Sequence, residues 1–163
     1  MTAKQVLLDQ LAACHDKDGW FVCMHSALGG LTTRQASTPA PGSAHSIWQI
    51  LEHVTFWNDR YLRRFHGKTV EPVNDNDSTF RVNASGDEAW AAARARFDEV
   101  MESWKSTLQG MDDSKLDAPV APDSKETWAN KLAHMILHAA HHIGQIVTLR
   151  KTQGSWDTAK GVS

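Results

Sequence analysis

Residues 130–150, NKLAHMILHAAHHIGQIVTLR, constrain this chain more than any other stretch, and they hold four of its nine histidines. At 100° per residue, His134, His138, His142 and Gln145 fall within about 80° of one another on a helix. Leu132, Met135, Ile136, Ala139, Ile143 and Ile146 form one broad apolar face, and Ala133, Leu137, Ala140, Gly144 and Val147 form another. A helix that is apolar almost all round is normally buried. Its polar stripe must then satisfy its nitrogens inside the protein or in a pocket. Two histidines at i and i+4 can aim both imidazoles at one point, which is the geometry of a divalent metal site. His134/His138 and His138/His142 both have that spacing, so spacing alone does not choose between them. The plainer reading is a set of core or interface histidines with ordinary hydrogen-bond partners. The motif is not that of a zincin, because position 139 is alanine where a zincin carries its glutamate base.

The rest of the composition narrows the function classes. The chain has 163 residues, enough for one domain with a substantial core. Lys plus Arg number 17 and Asp plus Glu 19, so no basic excess points to nucleic acid. No apolar run approaches the roughly 20 residues of a membrane helix. The start, MTAKQVLLDQ, lacks a secretory pattern, and a cytoplasmic location is expected. Cys14 and Cys23, on one straight helix, would lie about 13 Å apart along the axis and on opposite faces. They read as buried small hydrophobes. Seven tryptophans stand against one tyrosine; most read as core, with one or two lining a pocket near the histidines.

Taken in order, the periodicity predicts a first helix over residues 3–28, opened by Thr2 with Gln5 and prone to break at the polar run 15–19. Residues 31–43, with Pro39, Pro41 and Gly42, read as a loop. Ser43 is the candidate N-cap of a second helix running to residue 66, whose stripe is Ile47, Ile50, Leu51, Val54, Tyr61, Leu62 and Phe65. His53 and Trp57 lie at one edge of that stripe. Residues 68–85 show no periodicity, and so long a stretch in a compact domain is usually functional or mobile. A calcium loop there lacks the glycine and terminal glutamate it needs. Ser85 with Glu88 predicts the start of a third helix to Gly110, and Asp123 with Glu126 the start of the last, ending near Gly154. Residues 1–154 are thus expected to form one bundle domain and residues 155–163 a tail, pinned by Trp156.

Four long helices without a convincing strand predict an all-α, four-helix bundle. Bundles build metal sites from side chains on facing helices, and His53 can meet a histidine pair from the last helix in this way.

The stretches GSAHSIWQILEHVTFWNDRYLRRFHGK and HAAHHIGQIVTLRKTQGSW resemble the DinB/YfiT-like superfamily, with the resemblance running from residue 15 to residue 156. Its most specific element is His-x3-His-x-Gly-Gln, matched by His138, His142, Gly144 and Gln145. A histidine midway along the second helix is matched by His53. The resemblance implies that His53, His138 and His142 bind one divalent metal ion, zinc or nickel, and leaves His134 and His141 outside the ligand set. It implies an up-down-down-up topology with a long crossover, residues 67–85, and often a homodimer. Superfamily enzymes include transferases that add low-molecular-weight thiols to electrophiles, and a thiol-dependent isomerase.

Three functions are compatible with these residues. The first is metal-dependent thiol transfer, in which three neutral imidazoles leave the cation an open position and full charge to favour a thiolate. The second is metal-dependent hydrolysis, which calls for a nearby carboxylate such as Glu52, Asp59 or Asp77. The third is a non-catalytic metal-binding stress protein. Gln145, Trp57 and His45 are candidates for the surrounding shell or pocket. A small-molecule substrate, with a low-molecular-weight thiol as the expected partner, fits the first reading. The small-residue face of Ala133, Ala140 and Gly144 permits close helix approach and hence a dimer.

Overall fold

The computed structural model describes residues 1–160. Four long helices carry the architecture: α1 (Ala3–His15), α4 (Ile47–Phe65), α5 (Asp87–Gly110) and α7 (Trp128–Thr152). Short helices α2 (Met24–Leu28), α3 (Thr33–Ser37) and α6 (Ser114–Asp117) lie in the connections, with 3-10 turns at Asn76–Phe80 and Thr158–Lys160. α4 packs on α5 and α7, and α1 packs on the same two helices. The four-helix bundle is therefore a closed ring of neighbours, with no strand among the described residues; Pro119 and Thr127 form only an isolated bridge. No helix among these residues is long and apolar enough to cross a membrane.

Local chemistry corrects several predicted boundaries. The first helix stops at His15 instead of continuing to residue 28. The polar run that follows favours a turn, and the Asp18 carboxylate accepts from Cys23 N (2.9 Å) and Ser26 Oγ (2.8 Å), anchoring the start of α2. Cys14 and Cys23 therefore do not share a helix, but both are buried and unbridged, and burial pushes the Cys14 thiol up to about 12. Ser46, not Ser43, caps α4 through a capping box with Gln49. Ser43 is diverted to the backbone of His45. α5 starts from Gly86 at φ 90 without a side-chain cap, so the expected Ser85–Glu88 box is absent. Thr127, not Asp123, caps α7, and Glu126 pairs with Lys131 at 2.8 Å instead. The loop at 31–43 contains α3, which has its own Thr32–Gln35 capping box.

The core takes in the α4 stripe and the first apolar face of α7, whereas the second face of α7 is not all buried as expected: Leu137 is 66% exposed and Gly144 is exposed. Trp48, Trp104, Phe97, Leu51, Met101 and Ile143 are fully buried. Trp104 donates its Nε1–H to the Asn58 carbonyl at 3.0 Å, tying α5 to α4. Arg150, also buried, reaches the carbonyls of Ala27, Gly29 and Ser155 and lies over Trp156. This arginine thus anchors the start of the expected tail, whose residues 161–163 lie outside the described part. Trp20 departs from the core expectation and is 98% exposed.

Candidate metal centre

α4 and α7 face each other, and their histidines meet at the seam. His53 projects from the buried side of α4, flanked by Ile50 and Val54, and is 3% exposed. His138 and His142 stand one turn apart on α7. His138 Nε2 lies 3.0 Å from His53 Nε2 and 3.0 Å from His142 Nε2. All three donor nitrogens lie within 4.8 Å of one another. Ligand nitrogens at tetrahedral zinc, about 2.0–2.1 Å from the ion, stand about 3.3 Å apart. The observed spacing fits that set with small side-chain shifts.

The outer ring nitrogens show why the inner ones point inward. Thr79 Oγ1 uses its own proton on the Asn76 carbonyl (2.6 Å), so it must accept from His53 Nδ1–H, also at 2.6 Å. His142 Nδ1–H donates to Gln145 Oε1 at 2.7 Å. Both histidines therefore carry their proton on Nδ1 and present a lone pair at Nε2. Three inward nitrogens have at most the one His138 proton among them, an arrangement that a divalent cation completes. Burial, followed by the neighbouring imidazoles His142, His138 and His45, holds His53 down at about 3. Burial holds His142 at about 4 and lowers His138. All three are neutral at pH 7, the form that binds metal.

Aromatic packing fixes the remaining orientation. Phe80 stacks on the His53 ring (3.9 Å, 10°) and on the His45 ring (3.9 Å, 7°), so it lies between them. Trp57 meets His53 edge-on at 6.5 Å and stacks with Tyr61. A cavity of about 300 Å³ opens beside His53 and His138, lined by Trp57, Tyr61, Lys131 and Met135 among others. A larger groove of about 800 Å³ is lined by His45, His141 and Gln145.

The candidate residues thus sort clearly. His53, His138 and His142 converge. Gln145 touches His142, Trp57 lines the cavity, and His45 stacks on the far face of Phe80 from His53. His134 is exposed, 3.8 Å from Glu126, and His141 is exposed in the larger groove. Among the described residues, no carboxylate joins the three nitrogens. Glu52 instead accepts from Trp48 Nε1 and pairs with Arg96. Asp59 stands 4.0 Å from Arg63, and Asp77 is exposed. Sequence reasoning missed Thr79 and Phe80, which lie in the aperiodic 68–85 stretch. The available signal was one aromatic residue in a polar run, just after Asp75, whose carboxylate caps Asp77 N.

Comparison with known proteins supports the four-helix bundle. YfiT from Bacillus subtilis, described as a probable metal-dependent hydrolase with an unusual four-helix bundle topology, superposes with a TM-score of 0.68. The two share 22% identity, over 95% of this chain and 87% of that one. No curated protein matches. The sequence profile of the DinB superfamily matches residues 24–146, a span that contains α4, the Thr79–Phe80 turn and both α7 histidines. With most of the chain inside that profile, this protein belongs to the DinB superfamily.

Proposed function

We propose that this protein is a divalent-metal-dependent enzyme that transfers a low-molecular-weight thiol to an electrophile. His53, His138 and His142 would hold the ion, and three neutral imidazoles suit zinc or nickel. A cation there supplies the charge that favours thiolate over thiol at neutral pH. The protein's own residues do the rest. Thr79 and Gln145 hold the two outer ring protons and keep the donor nitrogens aimed inward. Phe80 covers one face of His53. Trp57, Tyr61 and Met135 supply apolar wall to the adjoining cavity, with Lys131 as a polar contact.

The observation that carries this reading is a three-nitrogen cluster without a carboxylate. A cation held this way would favour thiolate over thiol and would equally bring bound water to a pKa of about 7; what favours the thiol is that, among the described residues, no carboxylate stands by to guide and deprotonate an attacking water. The hydrolase reading draws support from the likeness to YfiT. The test is turnover by metal-loaded protein with a panel of thiols and electrophiles, run beside ester and amide substrates. Thiol-dependent consumption of the electrophile that His138→Ala abolishes is expected. Cleavage without thiol would establish the hydrolase instead, and no turnover with either would favour a non-catalytic metal-binding protein.

The proposal includes a homodimer. On α7, Leu137 is 66% exposed beside half-buried Ala133 and Ala140 and exposed Gly144. That strip admits a second helix at close range. Sedimentation at micromolar concentration is expected to give twice the chain mass; a monomeric mass would remove this part of the proposal.

A further inference from the structure

A second cluster of metal-ligating side chains lies away from the three-histidine centre, on α1, α2 and α5. His15, at the end of α1, is 4% exposed. Its Nε2 lies 3.2 Å from Asp98 Oδ1, and His25 Nε2 lies 2.6 Å from the same oxygen. The two rings meet edge-on at 4.9 Å. Residues distant in sequence thus bring two imidazole nitrogens and a carboxylate oxygen within 4.8 Å of one another. The other His15 nitrogen, Nδ1, faces Glu102 Oε1 at 3.7 Å. That separation is longer than a hydrogen bond, and the same oxygen accepts from Lys105 Nζ at 3.2 Å.

We infer that His15, His25 and Asp98 form a second divalent-cation site. Two imidazoles and one carboxylate suit zinc, cobalt, nickel or copper over magnesium or calcium, which prefer oxygen ligands. Asp98 and His25 are about half exposed, which leaves one side of the cluster open. A cleft of about 430 Å³, lined by His25, Asp98 and Arg94 among others, admits the water or anion that completes the coordination. The ion joins α5 to both sides of the break after α1, where Asp18 ties the turn to the start of α2. It acts as a clip on that corner of the bundle. The residues are separate from those of the proposed enzyme centre, so neither reading depends on the other.

The test is equilibrium dialysis of metal-stripped protein against micromolar zinc, with elemental analysis and melting curves. Wild type is expected to take two ions per chain, and His25→Ala and His138→Ala one each. The double variant is expected to take none. In the His138→Ala protein, zinc should still raise Tm, and adding His25→Ala should abolish that rise. His25 is on the surface, so its removal leaves the core intact. An ion count unchanged by His25→Ala, or no zinc bound by His138→Ala, would overturn the inference and leave an ordinary hydrogen-bonded His–Asp–His cluster; a single wild-type ion lost in His25→Ala and kept in His138→Ala would instead remove the three-histidine centre.

Discussion

At the scale of single residues, the proton positions on His53 and His142 decide what the centre can bind. Thr79 is the clearest case, because its hydroxyl proton is committed to Asn76 and only its lone pair remains for His53. Thr79→Val keeps the shape and removes that acceptor, leaving the His53 Nδ1–H buried without a partner. The expected result is a metal affinity weakened about 10- to 100-fold, with the fold retained. Competition against a chromophoric chelator measures it. Unchanged affinity would mean that Phe80 stacking alone orients the ring. Gln145→Ala should act in the same direction but less strongly, because water can replace its carbonyl at the half-exposed edge of the centre.

At the scale of elements, the site depends on the angle and spacing between α4 and α7, which are set elsewhere. Trp104 fills the α4–α5 seam, meets Phe65 edge-on at 5.6 Å, and Phe65 in turn meets Trp128 of α7 at 4.9 Å. This chain of rings connects the three helices. Trp104→Ala removes a fully buried indole and leaves the Asn58 carbonyl without its donor. The expected cost is about 3–5 kcal/mol, read from denaturant unfolding of the metal-free protein. A loss below about 1 kcal/mol would show that the seam collapses and refills without it. The same logic explains the 3-10 turn Asn76–Phe80. Asp75 closes it locally, accepting from Asp77 N and from Ser78 Oγ, and Thr79 and Phe80 pack it into the bundle.

At the scale of the molecule, folding, protonation and metal binding are linked. Burial holds His53 at about 3 and His142 at about 4 in the folded chain, whereas unfolded imidazoles titrate at about 6.5. Below 6.5 the unfolded chain therefore binds more protons than the folded one. The stability these groups contribute is complete above that value and is lost as the pH falls towards 4. Protons also compete with the cation for the same nitrogens. Melts with and without chelator should show a large difference at pH 7.5, since the ion stabilises only the folded state. That difference should shrink at pH 5, where the chelated protein itself melts lower. An equal chelator effect at both values would point to carboxylate ligands, which stay ionised across that range.

What the sequence by itself determined was the run of each long helix, because that pattern repeats locally. The stripes of α4 and α7 and the Thr2 capping box are properties of neighbours three and four residues apart, so they are legible without a partner. The spacing of His138 and His142 is legible for the same reason, and so is the position of His53 at the edge of a core stripe. Only the tertiary structure decided that these three nitrogens meet, because that depends on how α4 and α7 are packed. Helix starts were misread where another local partner competed for the cap: Ser43 turned to the backbone of His45, and Glu126 to Lys131. Thr79 and Phe80 were illegible because an aperiodic segment has no face until the bundle supplies one. His15 and His25 were illegible because their common partner, Asp98, lies on a helix more than 70 residues away in the chain.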